Sequence, residues 1–239
     1  MGRRVKFSAA QVSALLVLAL AVLLPGADAL AHGIAGGDAR FVAANQGVQL
    51  LPYLYLGAKH MVTGYDHLLF LAGVIFYLYR LRDVAVYVTL FAVGHSSTLL
   101  LGVLADVHAN AYLIDALIGF SVVYKAFENL GGLQQMGWHI NPRAAVFVFG
   151  LAHGFGLAIK LQALRPSKDG LLANMIGFNV GVEIGQFCAL ALILTAFGLW
   201  RRQGSFLKTA WAANVLVMAA GFCLVGYQLA GFVMSGGFR

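Results

Sequence analysis

The sequence predicts an all-α polytopic membrane protein, with six spanning helices after an N-terminal signal peptide and a short outer interfacial helix. Three observations carry this reading. Of the 239 residues, 61% are hydrophobic and only 10% charged, where a soluble domain carries about a quarter charged residues. The apolar residues fall into runs that approach or reach the roughly 20 residues a helical span needs, and none alternates as a barrel strand does. The basic residues behind the net charge of +7 stand mostly between these runs, where a membrane protein keeps its charge. There is no basic helix with interleaved aromatic residues, which argues against nucleic acid as a partner. There is no Gly-x4-Gly-Lys-Ser/Thr loop, which argues against a nucleotide. The lipid bilayer is the expected surrounding.

In chain order, residues 1–31 read as a secretory signal. Arg3, Arg4 and Lys6 form the basic start, Val12 to Leu24 the apolar core, and Ala27-Asp28-Ala29 or Ala29-Leu30-Ala31 the small-x-small cleavage site. A cut after Ala31 leaves His32 as the new N-terminus, whose amine and imidazole together can chelate a metal. Retention as an anchor helix is the alternative. Residues 32–48, Gly-rich and polar, form an exported flexible arm. Residues 49–239 form a single transmembrane domain. Its first stretch, 49–62, is too short to span and carries Pro52, Tyr53 and Tyr55, which suits a helix at the outer interface. The spans follow at 64–80, 84–105, 110–131, 143–164, 171–199 and 209–233. A bacterial-type inner membrane is expected, with the mature N-terminus outside. The loops with Arg80 and Arg82, and with Arg201, Arg202 and Lys208, then face inward as the positive-inside rule asks. Arg165 and Lys168 fall outside, against the rule. Cys188 and Cys223 lie within apolar runs and make neither a disulfide framework nor a thiolate cluster.

Ionisable residues inside a membrane cost about 2.5–3.5 kcal/mol each and mark function. Asp66, Asp115, Glu128 and Glu183 lie inside or at the edge of the apolar runs. His95, His153 and Glu183 fall near the middle of three different spans, which points to a shared site. Asp66 and His67, with His60, are expected at the outer mouth, and Glu128 toward the inner end, where it would help release a cargo. Asn179, Glu183 and Gln186 share one helix face by spacing, as do Ser121, Lys125 and Glu128. Lys125 and Glu128, at i and i+3, are placed to form an ion pair. The candidate metal ligands are therefore His60, Asp66, His67, His95, His153 and Glu183, with Asp115, Ser121, Glu128, Asn179 and Gln186 lining the path or supporting the ligands. Imidazole with carboxylate suits nickel, cobalt, zinc, iron or copper as divalent ions. Magnesium and calcium prefer oxygen shells.

Five stretches carry a family resemblance. They are His60-x5-Asp66-His67-Leu-Leu-Phe, Gly94-His95-Ser96-x-Thr98-Leu, Asp115-Ala-Leu-Ile-x2-Ser121-x2-Tyr124-x3-Glu128-Asn129, Gly150-Leu-x-His153-Gly154-x-Gly156 and Asn179-x-Gly-Val-Glu183-x-Gly-Gln186. With these blocks in order over about residues 50–190, the chain resembles the HupE/UreJ family. The resemblance implies secondary uptake of nickel or cobalt, without enzymatic activity. The first two blocks are also similar to those of nickel/cobalt permeases, which place four residues before the Asp-His pair where this chain has five, Met61 to Tyr65. Two alternatives stay open. One is an intramembrane metal-dependent hydrolase, weakened by the lack of His-Glu-x-x-His. The other is a metal-binding accessory subunit of hydrogenase or urease maturation. Assembly as a homo-oligomer is also left open.

Overall fold

Eight helices make up the described residues, 47–163 and 166–237, of a computed structural model. They are α1 (Leu50–Thr63), α2 (Tyr65–Ile75), α3 (Leu81–Leu104), α4 (Ala111–Asn129), α5 (Gly132–Gln135), α6 (Pro142–Ala163), α7 (Leu171–Arg201) and α8 (Phe206–Met234). The expected signal at 1–31, His32, most of the arm and Arg165 lie outside the described residues. Among the described residues there is no strand.

Four helices, α3, α6, α7 and α8, are long and apolar enough to cross a membrane, which makes this a membrane protein. The other expected spans fall short of that standard for reasons visible in their residues. Helix α4 holds Asp115, Lys125 and Glu128 within 19 residues. Helix α2, of 11 residues, is too short alone, as is the 14-residue α1, which the sequence places at the interface.

The packing of α1 departs from the expected interfacial helix. Glycines on α7 receive it in register: Gly177 lies beneath Leu50, Gly181 beneath Leu54 and Gly185 beneath Ala58. Gly57 of α1 returns the contact against Phe178 and Val182. Both numbers rise in steps of four, so α1 and α7 are parallel, and the missing side chains let the backbones approach. At one end the Asn174 side chain accepts from the Gln49 N–H (2.6 Å) and donates to the Gly47 carbonyl (2.9 Å). At the other, Arg201 donates to the carbonyls of Ile75, Phe76 and Leu78 at 2.6–2.9 Å. Helices α1 and α2 thus run together along the whole of α7, about 46 Å at about 1.5 Å per residue. They form one long element broken at Gly64, and α1 buries Tyr53, Leu56, Gly57 and Met61 within the bundle. A break halfway makes the first half look too short to span and lets the second read as a span by itself.

Two more pairs use the same device. Helices α3 and α6 run parallel, with Gly94 on Phe147, Gly150 on Phe91, Gly154 on His95 and Gly102 on Ala158. Helices α4 and α8 run antiparallel, through Gly119 on Leu224 and Val225, Gly221 on Val123, and Gly231 on Tyr112. Asn129 ties α4 to both neighbours, donating to the Gly73 carbonyl and to Asn214 Oδ1, each at 2.9 Å. The Lys125–Glu128 pair forms as its spacing predicts, at 2.7 Å. Helix α2 lies among the pairs, touching α3, α4, α7 and α8. Arg80, Arg82, Arg201, Arg202 and Lys208 fall at one end of the bundle, the basic end.

Candidate functional site

The break at Gly64 sits halfway along the α1–α2 element, and the groups around it meet the histidines of two other helices. His67 is the hub: its ring centroid lies 5.1 Å from that of His60, 5.5 Å from His95 and 4.8 Å from His153. Helices α1, α2, α3 and α6 each supply one imidazole. His67, His95 and His153 are 2%, 1% and 0% exposed, and His60 is half-buried. His95 and His153 fall near the middle of α3 and α6. Asp66 and His67 therefore lie at the depth of His95 and His153, and not at an outer mouth as their place in the sequence suggests.

The local chain explains how the hub is set. A Cβ on Gly64 would come within 2.9 Å of the His60 carbonyl, 3.1 Å of His67 Nδ1 and 3.3 Å of Asp66 Oδ1. Glycine is required here for space, since its φ of −74° is open to any residue. The Gly64 N–H still donates to the His60 carbonyl at 2.8 Å, so the break leaves that carbonyl satisfied. Asp66 Oδ1 accepts from the backbone N–H of His67 (2.8 Å) and from its Nδ1–H (3.0 Å). A carboxylate can only accept there, so Nδ1 carries the proton and the buried Nε2 keeps its lone pair. His153 is fixed in the same sense, with Nδ1–H donating to the Phe149 carbonyl at 2.8 Å. Among the described residues, neither ring nitrogen of His95, nor Nε2 of His67, has a hydrogen-bond partner. Buried polar atoms in that condition are uncommon and costly. Among the described residues, no group of three or more His, Cys, Asp or Glu side chains stands ready to hold a metal ion in this arrangement.

The remaining candidates divide. Asp115 is paired with Lys160 of α6 at 2.8 Å and lines a small cavity with Asp66 and Gln228. Ser121 is buried and donates to the Ile118 carbonyl at 2.6 Å. Glu128 faces an open cavity at the basic end that is also lined by Trp138, His139 and Arg143. Asn179 and Gln186 are buried, Asn179 donating to the Met175 carbonyl and Gln186 to that of Val88. Glu183 is not brought to the imidazoles: it is exposed, on a face shared with Ile176, Val180 and Phe187. At about 100° per residue, Gln186 falls within roughly 20° of Asn179, while Glu183 is turned roughly 60° from Gln186, enough to cross the edge of the buried face.

Spacing alone gave no prominence to three phenylalanines that seat the cluster. Phe70 and Phe91 each lie 5.2 Å from the His153 ring, and Phe149 lies 5.8 Å from Phe70. A signal was present: each stands one turn from a histidine, three after His67, four before His95 and four before His153. The change of sign reflects the direction of α2, opposite to that of α3 and α6.

A family model described as HupE / UreJ protein matches residues 37–236. Neither a curated protein nor a solved structure matches the chain significantly.

Proposed function

Since the chain belongs to the HupE/UreJ family, we propose that it is a secondary permease for a divalent transition-metal ion, nickel or cobalt in the first place. The observation that supports this most is the meeting of four imidazoles from four helices at the break of the α1–α2 element. A metal cation leaving water needs donors that replace its hydration shell, and neutral imidazole nitrogens suit this class of ion. His60, His67, His95 and His153 are the proposed ligands. Asp66 supplies negative charge and holds His67 in the tautomer that offers Nε2. The rings turn inward by a modest rotation to close on the ion. Broken helices at mid-membrane are the usual place for ion sites in transporters, because the freed backbone lines the site.

The six-span arrangement belongs to the same proposal. The α1–α2 element counts as one span, followed by α3, α4, α6, α7 and α8, with the basic end in the cytoplasm. Asp115 with Lys160, and Lys125 with Glu128, sit within these spans as neutralised pairs. Glu183 stays outside the ligand set, because its face points away from the cluster.

Cobalt binding to the purified full chain, by equilibrium dialysis, tests the assignment. His95→Ala and His153→Ala are expected to remove high-affinity binding, and Glu183→Ala to keep it. Tight binding by His95→Ala would sink the site. In liposomes loaded with a cobalt-quenched dye, the wild type is expected to admit cobalt. Binding without flux would instead mark a metal-holding accessory subunit.

A further inference from the structure

We propose that Phe70, Phe91 and Phe149 form the gate that separates the imidazole cluster from the basic end of the bundle, an inference that rests on the transport reading. Each ring projects from a helix that also supplies a histidine, and each lies one turn from it toward the basic end. Phe70 follows His67 on α2, which runs toward that end; Phe91 and Phe149 precede His95 and His153 on α3 and α6, which run away from it. Phe70 is the middle ring, 5.4 Å from Phe91 and 5.8 Å from Phe149. The three are 1%, 3% and 9% exposed, so the rings lie out of contact with water.

Polar groups resume directly beyond the rings. Tyr124 of α4 packs on Phe149 at 5.1 Å, and Glu128, one turn further along α4, lines the open cavity at the basic end. A cation in the cluster is thus separated from a carboxylate facing that cavity by a layer of phenyl rings. Apolar constrictions of this kind hold ions back by excluding water and open when the rings part. The rings' π-faces then give a partly dehydrated cation some compensation as it passes. Phe70 rides on the short helix α2, between the break at Gly64 and the Arg201 clamp, so tilting α2 is the motion that draws the middle ring aside.

The test reads access, independently of metal. In full-length protein with Cys188→Ser and Cys223→Ser, His95→Cys places a thiol above the rings. Membrane vesicles are sorted by which face exposes Gln203→Cys, a marker of the basic end. A charged, impermeant methanethiosulfonate is then added from that face. With the rings intact His95→Cys is expected to react slowly. Adding Phe70→Ala is expected to speed the reaction about tenfold, equivalent to lowering a barrier by about 1.4 kcal/mol. An unchanged rate overturns the gate. If Phe70→Ala does not elute as the parent protein does, Phe149→Ala is read in the same way, and an unchanged rate there overturns it too. In parallel, Phe70→Ala in the otherwise native chain is expected to admit cobalt faster into dye-loaded liposomes than the wild type does. A wild type that neither binds nor admits cobalt removes the transport reading, while the thiol result still decides whether the rings are a barrier.

Discussion

Asp66 and His67 are neighbours in sequence, yet they do different things. The carboxylate spends Oδ1 on the backbone and ring N–H groups of His67, so it acts on the proposed site through the imidazole it orients. Partners of this kind typically change metal affinity by about 10–100-fold when altered. Asp66→Asn, which keeps the size and one acceptor oxygen but loses the charge, is therefore expected to weaken cobalt binding by about 10–100-fold. Equilibrium dialysis would show it, and wild-type affinity in Asp66→Asn would mean that Asp66 has no such role. His153 differs because its Nδ1 is held by a backbone carbonyl, a partner that no substitution of a side chain removes. Glu183 shows where residue spacing misleads. It shares a face with Asn179 and Gln186 on a helical wheel, but the buried face of α7 ends between them.

Among the elements, the α1–α2 pair carries the most information per residue. Its break brings His60 and His67 to one level, and only a residue without a side chain fits at Gly64. Gly64→Ala is expected to push on Asp66 and His67 and destabilise the fold by about 1–3 kcal/mol, the usual range for overpacking. Thermal unfolding in detergent would register a lower Tm, together with weaker cobalt binding. Unchanged values for both would mean that the break tolerates a Cβ. The glycine stripe of α7 has a different task. Gly177, Gly181 and Gly185 let α1 lie against α7 over its full length, and this converts a stretch that reads as an interfacial helix into the first half of a long buried element. The sequence contained the stripe, but a run of glycines does not say which helix it receives.

For the whole molecule, the hydrogen bonds from Asn174 and Arg201 place the start of α1 beside that of α7 and the end of α2 beside the end of α7. With the alternation of α3, α4, α6 and α8, this puts the turns after α2, after α4 and after α7 at one end. The turns before α4 and before α7 lie at the other. Single cysteines make the arrangement measurable once Cys188 and Cys223 are replaced. Gln203→Cys and Met136→Cys are expected to react with an impermeant thiol reagent from one side of the membrane, and Val107→Cys and Lys168→Cys from the other. Reaction of all four from the same side would rule out the six-span arrangement. Arg165 and Lys168, which sit against the positive-inside rule, are the reason to include that last position.

Composition and run length in the sequence determined that this is an all-helical membrane protein, because a low charge content and long apolar runs suit only a lipid surrounding. The motif blocks determined the family, and the i, i+3 spacing of Lys125 and Glu128 determined their ion pair, since contacts within one helix follow from its period. Tertiary structure decided what depends on which helices meet. It moved Asp66 and His67 from a mouth to mid-bundle, gathered His60, His95 and His153 around them, and turned Glu183 outward. It also set a phenylalanine beneath each of three histidines. Depth along a broken element, and the partner of a given helix face, arise from packing between segments far apart in the chain. Local pattern cannot encode them, because the same run of residues serves equally well at an interface or in a core until a second helix arrives to cover it.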